Sequence, residues 1–223
     1  MKKVLVTGSK GTVGKILVPY LESLKYDVTG YDIHNSNIAD HEFVLNNIKN
    51  YDAIIHLDMD AKVGFSDENY NPDDFTMVYN LLHTATDNHN KRIIMFSSIH
   101  ADDFSLATPK NQMSTTTVPT PDSPYGAYKI YMEALSKYYS KNKGIEVICI
   151  RLGGVTADDR ILSDKEEAGF SKVYLSHEDL KSQVVTCIEK DSIINNFELL
   201  YGVSNNEGRL HDNSNSIGWK PKL

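Results

Sequence analysis

Val4-Leu5-Val6-Thr7-Gly8-Ser9-Lys10-Gly11-Thr12-Val13-Gly14, with Asp32 placed 18 residues after Gly14, is the stretch on which the reading of this chain turns. Val4-Leu5-Val6 is a short apolar run of the kind that forms a buried strand. Beyond the glycines, Val13, Ile16, Leu17, Tyr20, Leu21 and Leu24 recur at helical spacing. A strand that turns sharply into a helix aims backbone N–H groups at whatever lies above the helix N-terminus, where partial positive charge gathers. A side chain at the points of closest approach would keep a pyrophosphate out, so those points suit glycine. A glycine triplet alone is weak evidence. Here it follows a strand, opens a helix and precedes an acidic residue closing a second strand, which makes it a dinucleotide fingerprint.

Gly8, Lys10, Gly11, Thr12, Val13 and Gly14 are therefore the candidate phosphate-loop residues. Asp32 is the candidate acceptor for the adenosine ribose hydroxyls, and its charge opposes a 2′-phosphate. Neither Ile33 nor His34 supplies the basic partner that NADP needs. The expected cofactor is NAD, with Lys10 the one residue in the loop that argues otherwise.

The rest of the chain repeats the alternation. Strands are expected at Tyr26 to Ile33, Ala53 to Leu57, Arg92 to Phe96, Ile145 to Leu152 and Phe197 to Val203. Helices are expected from about Glu42 to Lys49, Phe75 to Asn88, Pro124 to Asn142 and, after a Ser176-x-x-Asp179 capping pattern, to Ile188. Continuous apolar strands between amphipathic helices predict an α/β fold, a Rossmann-type doubly wound parallel sheet. The alternation weakens after residue 152. The expected division is a nucleotide-binding core at 1–152 and a small substrate-binding part with a C-terminal tail at 153–223.

Composition narrows the function classes. The 223 residues are 40% hydrophobic and 24% charged, enough for a sizeable core and too apolar for a disordered segment. The 30 acidic residues outnumber the 23 basic ones, giving a net charge of −7. An acidic chain without a basic tract is a poor match to nucleic acid or anionic lipid. Cys149 and Cys187 sit in apolar runs and read as reduced core residues; no metal site is expected. No stretch has the length of a signal peptide core or a membrane span, so the expected location is the cytoplasm.

The chemistry is carried by Tyr125-Gly126-Ala127-Tyr128-Lys129, which opens a helix after a Pro-rich loop. Tyr125 and Lys129 are four apart and share a helical face. An ammonium beside a phenol favours the phenolate, so Tyr125 is a candidate general acid or base for a hydroxyl exchanging a hydride. Ser98, at the end of the preceding strand, is placed to hold the reacting oxygen.

Together these residues resemble the extended short-chain dehydrogenase/reductase family, also called the NAD-dependent epimerase/dehydratase family. The matching elements are Thr7-Gly-x-x-Gly-x-x-Gly14, Asp32, Ile55-His56-Leu57, Ser97-Ser98, Ser123-Pro124-Tyr125-Gly126-x-x-Lys129 and Ile150-Arg151-Leu152-Gly153. The resemblance implies Ser98, Tyr125 and Lys129 as the catalytic set, with Tyr125 and Lys129 also contacting the cofactor and Lys129 gripping the nicotinamide ribose. It implies that Asn37 and Ile38 flank the adenine, that Leu57 lies under the cofactor and that His56 is structural. Related enzymes often pair through two helices, here those near 75–88 and 124–142, which implies a homodimer with a four-helix interface.

Within the family the chain is most similar to the uronate dehydrogenase branch, on Leu175 to Leu180, Tyr201-Gly202-Val203-Ser204, Asp212-Asn213-Ser214 and Gly218-Trp219-Lys220-Pro221. Only 94 residues follow Lys129, which favours a small unactivated sugar acid over a nucleotide-sugar. Several positions depart from the pattern. Asp58-Met59-Asp60 replaces small neutral residues, and Asp74 stands at the place of an asparagine. Ile99 and Gly154 stand where that branch has a substrate-binding asparagine and serine. Arg160 matches an arginine that pairs with the uronate carboxylate, and His100 is placed to replace one lost polar contact. The expected function is NAD-dependent oxidation of a hexuronate-like sugar acid at its anomeric hydroxyl to a lactone. The alternative is a sugar-nucleotide epimerase or dehydratase holding NAD tightly, and a third reading is a nucleotide sensor without turnover.

Overall fold

A computed structural model of the chain describes residues 1–32, 36–59, 71–105 and 107–222. Ile33, His34 and Asp60, each named above, lie outside the described residues. At the centre is a six-stranded sheet formed by β1 (Lys3–Thr7), β2 (Asp27–Tyr31), β3 (Ala53–His56), β4 (Arg92–Ser98), β5 (Glu146–Leu152) and β6 (Phe197–Gly202). Their order is β2-β1-β3-β4-β5-β6, and every neighbouring pair is parallel. Parallel neighbours need crossover connections, which are supplied by α1 (Thr12–Ser23), α2 (His41–Asn47), α3 (Pro72–Thr84), α4 (Pro124–Lys143), the single turn α5 (Phe170–Val173) and α6 (His177–Glu189).

The alternation of side chains along each strand sorts the core into two layers. Val4, Val6, Ile55, Ile94 and Ile148 pack with Leu17 and Leu21 of α1 and Leu180, Val184 and Cys187 of α6. Leu5, Ile54, Ile93, Met95 and Cys149 face the other way, against Val44 of α2, Val78 and Leu81 of α3, and Met132 of α4. This is the doubly wound Rossmann-type sheet. Both cysteines are free and buried, one in each layer, and burial pushes both thiols up.

Helix ends follow local chemistry. Asn71 caps α3 by accepting from the Asp73 N–H at 3.0 Å, with proline in the first turn, so the helix starts before Phe75. Apolar spacing alone missed that start because the first turn is Pro72-Asp73-Asp74. Ser123 caps α4 and accepts from the Gly126 N–H at 3.1 Å, while Gly144 ends the helix in the left-handed region. Ser176 caps α6 as expected. The carboxylate of Asp179, however, does not close a capping box. It accepts from the Ser204 hydroxyl and from the Lys222 N–H, tying the C-terminal segment to α6. Trp219 is buried in the α1–α6 layer with its indole N–H on the Ser182 hydroxyl. A boundary at residue 152 is thus proposed as a functional division, since β6 and α6 beyond it complete and cover the same sheet.

The chain winds outward from β1 to β2, then returns to place β3 on the other side of β1. That reversal opens a crevice at the carboxyl ends of the strands. Beneath this end of the sheet lies a buried ion network. The Arg151 guanidinium on β5 holds both oxygens of Glu133 from α4 at 2.8 and 2.7 Å. It also donates to Asp102, just past β4, and to the Tyr201 hydroxyl of β6 at 3.3 Å. Tyr201 in turn donates to Asp102 at 2.7 Å, and the Ser97 hydroxyl donates to Glu133 at 2.5 Å. Removing the guanidinium strands two carboxylates in the interior, a loss of about 3–5 kcal/mol. Arg151→Leu is therefore expected to lower Tm by roughly 6–20 °C, read by thermal unfolding; a shift within about 2 °C would contradict the weight given to this network.

Candidate active site

A cavity of about 700 Å³ lies over the carboxyl ends of β1, β3, β4 and β5. At one end Gly8, Gly11, Thr12, Val13 and Gly14 line it, joined by Leu57 after β3. Gly8 has φ +68°, and a Cβ there would stand 2.9 Å from the Asp58 amide nitrogen, so only glycine fits this turn. A Cβ at Gly14 would lie 2.4 Å from the Gly8 carbonyl oxygen. Gly11 caps α1 without a side-chain hydrogen bond, and the first turn of α1 carries no acid. The amides at that helix start are thus open to an anion, and the cradle fits a dinucleotide pyrophosphate.

Asp32 follows β2 and accepts from the Lys10 backbone N–H at 2.9 Å, which orients its carboxylate beside the loop. The Lys10 side chain is exposed. Asn37 is exposed, and Ile38 is buried among residues of α2 and α3, with its carbonyl held by Asn80 at 3.1 Å. Lys10, Asp32, Asn37 and Ile38 do not line the cavity.

Ser98, Tyr125 and Lys129 all line the cavity, brought together from β4 and α4. The approach is close. A Cβ at Gly126 would lie 1.9 Å from the His100 carbonyl oxygen, so the first turn of α4 rests directly on the turn that follows Ser98. The Ser98 hydroxyl accepts from the His100 N–H at 3.3 Å. The Lys129 ammonium donates to the Phe96 carbonyl at 2.9 Å and lies 5.3 Å from the centroid of the Tyr125 ring. His100 lines the cavity too, its Nδ1 2.7 Å from Asp122.

Arg160 is placed elsewhere. It is exposed on the loop at 155–169, outside the cavity lining, with its guanidinium 2.9 Å from both oxygens of Glu166 and 3.5 Å from Asp158. Glu166 is held down to about 2 by the Ser163 N–H and hydroxyl and by Arg160. The structure also brings in residues that sequence reasoning passed over: Phe104, Phe170, Val173 and Leu210 form an apolar wall. The signal for two of them was the apolar spacing of Phe170 and Val173, three apart after a polar stretch and leading into Tyr174-Leu175. Among the described residues no group of three or more His, Cys, Asp or Glu side chains is placed to hold a metal.

His56 ends β3 with its Nδ1 2.8 Å from the Thr7 hydroxyl, joining the ends of β1 and β3. Burial, reinforced by Lys129, pushes it down to about 3, so it stays neutral. Asp58 is pushed up to about 6 by burial and by the charges of Asp32 and Asp74. Its native form therefore keeps a proton that the unfolded chain has released, and stability falls as pH rises from about 4 through 6. Asp58→Asn removes that penalty. Thermal unfolding is expected to show it stabilised on the order of 1–3 kcal/mol at pH 8 and indistinguishable from wild type at pH 4; equal effects at both pH values would exclude Asp58 as the titrating group.

Comparison with known proteins agrees with this geometry. Residues 4–168 match the model of the NAD dependent epimerase/dehydratase family. The chain is similar to uronate dehydrogenase of Agrobacterium fabrum, 28% identical over 240 residues that cover 100% of this chain and 85% of that one. It is also similar to an L-arabinose 1-dehydrogenase (NAD(P)(+)) of Haloferax volcanii, 27% identical over 188 residues that cover 75% of this chain and 74% of the other. Its fold matches a crystal structure of a uronate dehydrogenase mutant from Agrobacterium tumefaciens complexed with NAD, with a TM-score of 0.83 at 22% identity over 100% of this chain and 85% of that one. No helix among the described residues is long and apolar enough to cross a membrane. With an open phosphate cradle, a Ser-Tyr-Lys cluster and a matching family model, the chain belongs to the NAD dependent epimerase/dehydratase family of short-chain dehydrogenases/reductases, and its cofactor is NAD.

Proposed function

We propose that this enzyme oxidises a small sugar, an aldose or a sugar acid, at its anomeric hydroxyl to the lactone. The observation that carries the reading is the convergence of Ser98, Tyr125 and Lys129 on one cavity that also contains the phosphate cradle. When bound, NAD supplies the two-electron acceptor. Gly8, Gly11 and the first amides of α1 would hold its pyrophosphate, Asp32 would accept from the adenosine ribose, and Leu57 would pack against it.

Tyr125 takes the hydroxyl proton as the anomeric carbon–oxygen bond becomes a carbonyl and the carbon gives up its C–H electron pair. Ser98 donates a hydrogen bond to the same oxygen and fixes its distance from the phenol. Lys129 sets positive charge beside Tyr125, a role supported by its 2.9 Å bond to the Phe96 carbonyl, which limits where the ammonium can go. His100 is a polar group within reach of the substrate, held by Asp122. Recognition of a carboxylate by Arg160 has no support from its position, since two acids already surround it. Pairing of two chains through α3 and α4 belongs to the same reading, supported by Tyr79 and Tyr138, exposed on those helices.

The test is turnover with added NAD across aldoses and hexuronates, followed by NADH absorbance. NADH formation is expected with at least one sugar. Tyr125→Phe is expected to lower kcat by about 10²- to 10⁴-fold while leaving NAD affinity within about twofold by calorimetry, because the phenol acts on the substrate proton. Protein that purifies with NAD, needs none added and forms no NADH would instead indicate an epimerase cycle.

A further inference from the structure

Beyond Ser98 the cavity carries an apolar wall beside its polar members His100, Ser105 and Glu167. Ile99 follows Ser98 directly and is 4% exposed, packed with Val173, Tyr201 and Val203. It offers no donor. Gly154, beyond β5, has no hydroxyl, and its space is taken: a Cβ there would stand 2.3 Å from a ring carbon of Phe170. Phe170 is held over Gly154 by the backbone, because the Gly154 N–H donates to Val173 at 2.9 Å and Leu175 donates back to Gly154 at 2.8 Å. A serine at 154 would require the Phe170 ring to move from its present position. Phe104 and Leu210 extend the same lining.

Charge is equally informative. The cationic side chains on the cavity lining, among the described residues, are Lys129 and Lys172. Lys129 is committed to the Phe96 carbonyl beside Tyr125. Lys172 is exposed on α5, with its aliphatic stem beside Gly208, so its ammonium remains solvated at the cavity edge. Arg160 is engaged by Glu166 and Asp158 outside the lining. A carboxylate set against this wall would lose its hydration without gaining a guanidinium, and that is strongly unfavourable.

Resting on the dehydrogenase reading above, we propose that the substrate is an uncharged deoxyaldose, carrying a methyl group where a hexuronate carries its carboxylate, and that Phe170 with Ile99 determines this specificity. The methyl packs on the phenylalanine ring, and water is displaced from a surface that hydrates poorly.

A matched sugar series separates this proposal from the reading it rests on. In the galacto and gluco configurations, carbon 6 is presented to the NAD-loaded wild-type enzyme as methyl, hydroxymethyl or carboxylate. The expected result in the preferred configuration is kcat/KM for the 6-deoxy sugar above that of the uronate by at least about tenfold, the discrimination a hydrophobic pocket provides. A uronate that equals or exceeds its deoxy partner overturns the proposal and leaves the dehydrogenase intact. No NADH from any sugar, with NAD binding retained by calorimetry, removes the dehydrogenase reading and the proposal with it. Phe170→Ala is expected to shrink the deoxy-to-uronate ratio severalfold through KM of the deoxy sugar, with NAD affinity unchanged; an unaltered ratio overturns the assignment to Phe170. Should that variant fail to fold, Phe170→Leu reports the same ratio with the apolar contact shortened.

Discussion

Arg151 is the constraint on which the working end of this molecule depends. One guanidinium, buried at the end of β5, reaches α4 through Glu133, the turn after β4 through Asp102, and β6 through Tyr201. Its planar fork engages Glu133 at both oxygens and Asp102 at one, at fixed angles that a lysine would not reproduce. Glu133 lies one helical turn beyond Lys129 and two beyond Tyr125, on the same face of α4. Holding Glu133 therefore sets the rotation of the helix and, with it, the direction in which both side chains enter the cavity. Asp102 fixes the other side of the same joint, three residues past Ile99. Buried ion networks add little net stability when compared with apolar packing, but they tolerate only one arrangement. Here that arrangement is the one that seats the start of α4 against the His100 carbonyl, where Gly126 leaves no room for error.

The two ends of the cavity are built from different materials. The cofactor end is mostly backbone: open amides of α1, a left-handed glycine and close contacts between the loop and residue 58. Such a surface suits phosphate by geometry, and apart from its glycines it does not depend on which side chains the loop carries. The other end is lined by side chains such as Ile99, Phe104, Phe170 and Leu210, which come from the segments that follow β4, β5 and β6. Its character can change while the fold stays the same. The loop at 155–169 illustrates this, since Arg160, Ser163 and Glu166 close it upon itself. An arginine that sequence alone associates with substrate is used there to hold the loop.

The described strands, and helices α1, α2, α4 and α6, lie close to where apolar spacing puts them, because burial is what the spacing records. Errors fall where polar residues belong to regular structure. The first turn of α3 is Pro72-Asp73-Asp74, invisible to a hydrophobic pattern and readable only as a cap-and-proline signal at Asn71. Asp179 has the spacing of a capping box, yet its carboxylate is drawn to Ser204 and Lys222, a tertiary competition that no local rule describes. Arg151 was legible only as part of the Ile150-Arg151-Leu152-Gly153 match and Glu133 only as a charge in α4, with nothing to pair them. Phe170 and Leu210 are far apart in sequence and share a wall only because β5, α5 and the C-terminal segment converge.

By itself the sequence determined the Rossmann-type sheet, the phosphate loop and the shared helical face of Tyr125 and Lys129. Each of these rests on local order: side-chain period, glycine in a strand-to-helix turn, and a four-residue step along one helix; bringing Ser98 from β4 to that face needed the tertiary fold. Only the tertiary structure decided what surrounds the reacting group. Placing Arg160 outside the cavity, Phe170 over Gly154 and Ile38 in the core required contacts between distant segments. Those contacts follow from how the segments pack in three dimensions, and packing leaves no mark in the spacing of neighbours along the chain.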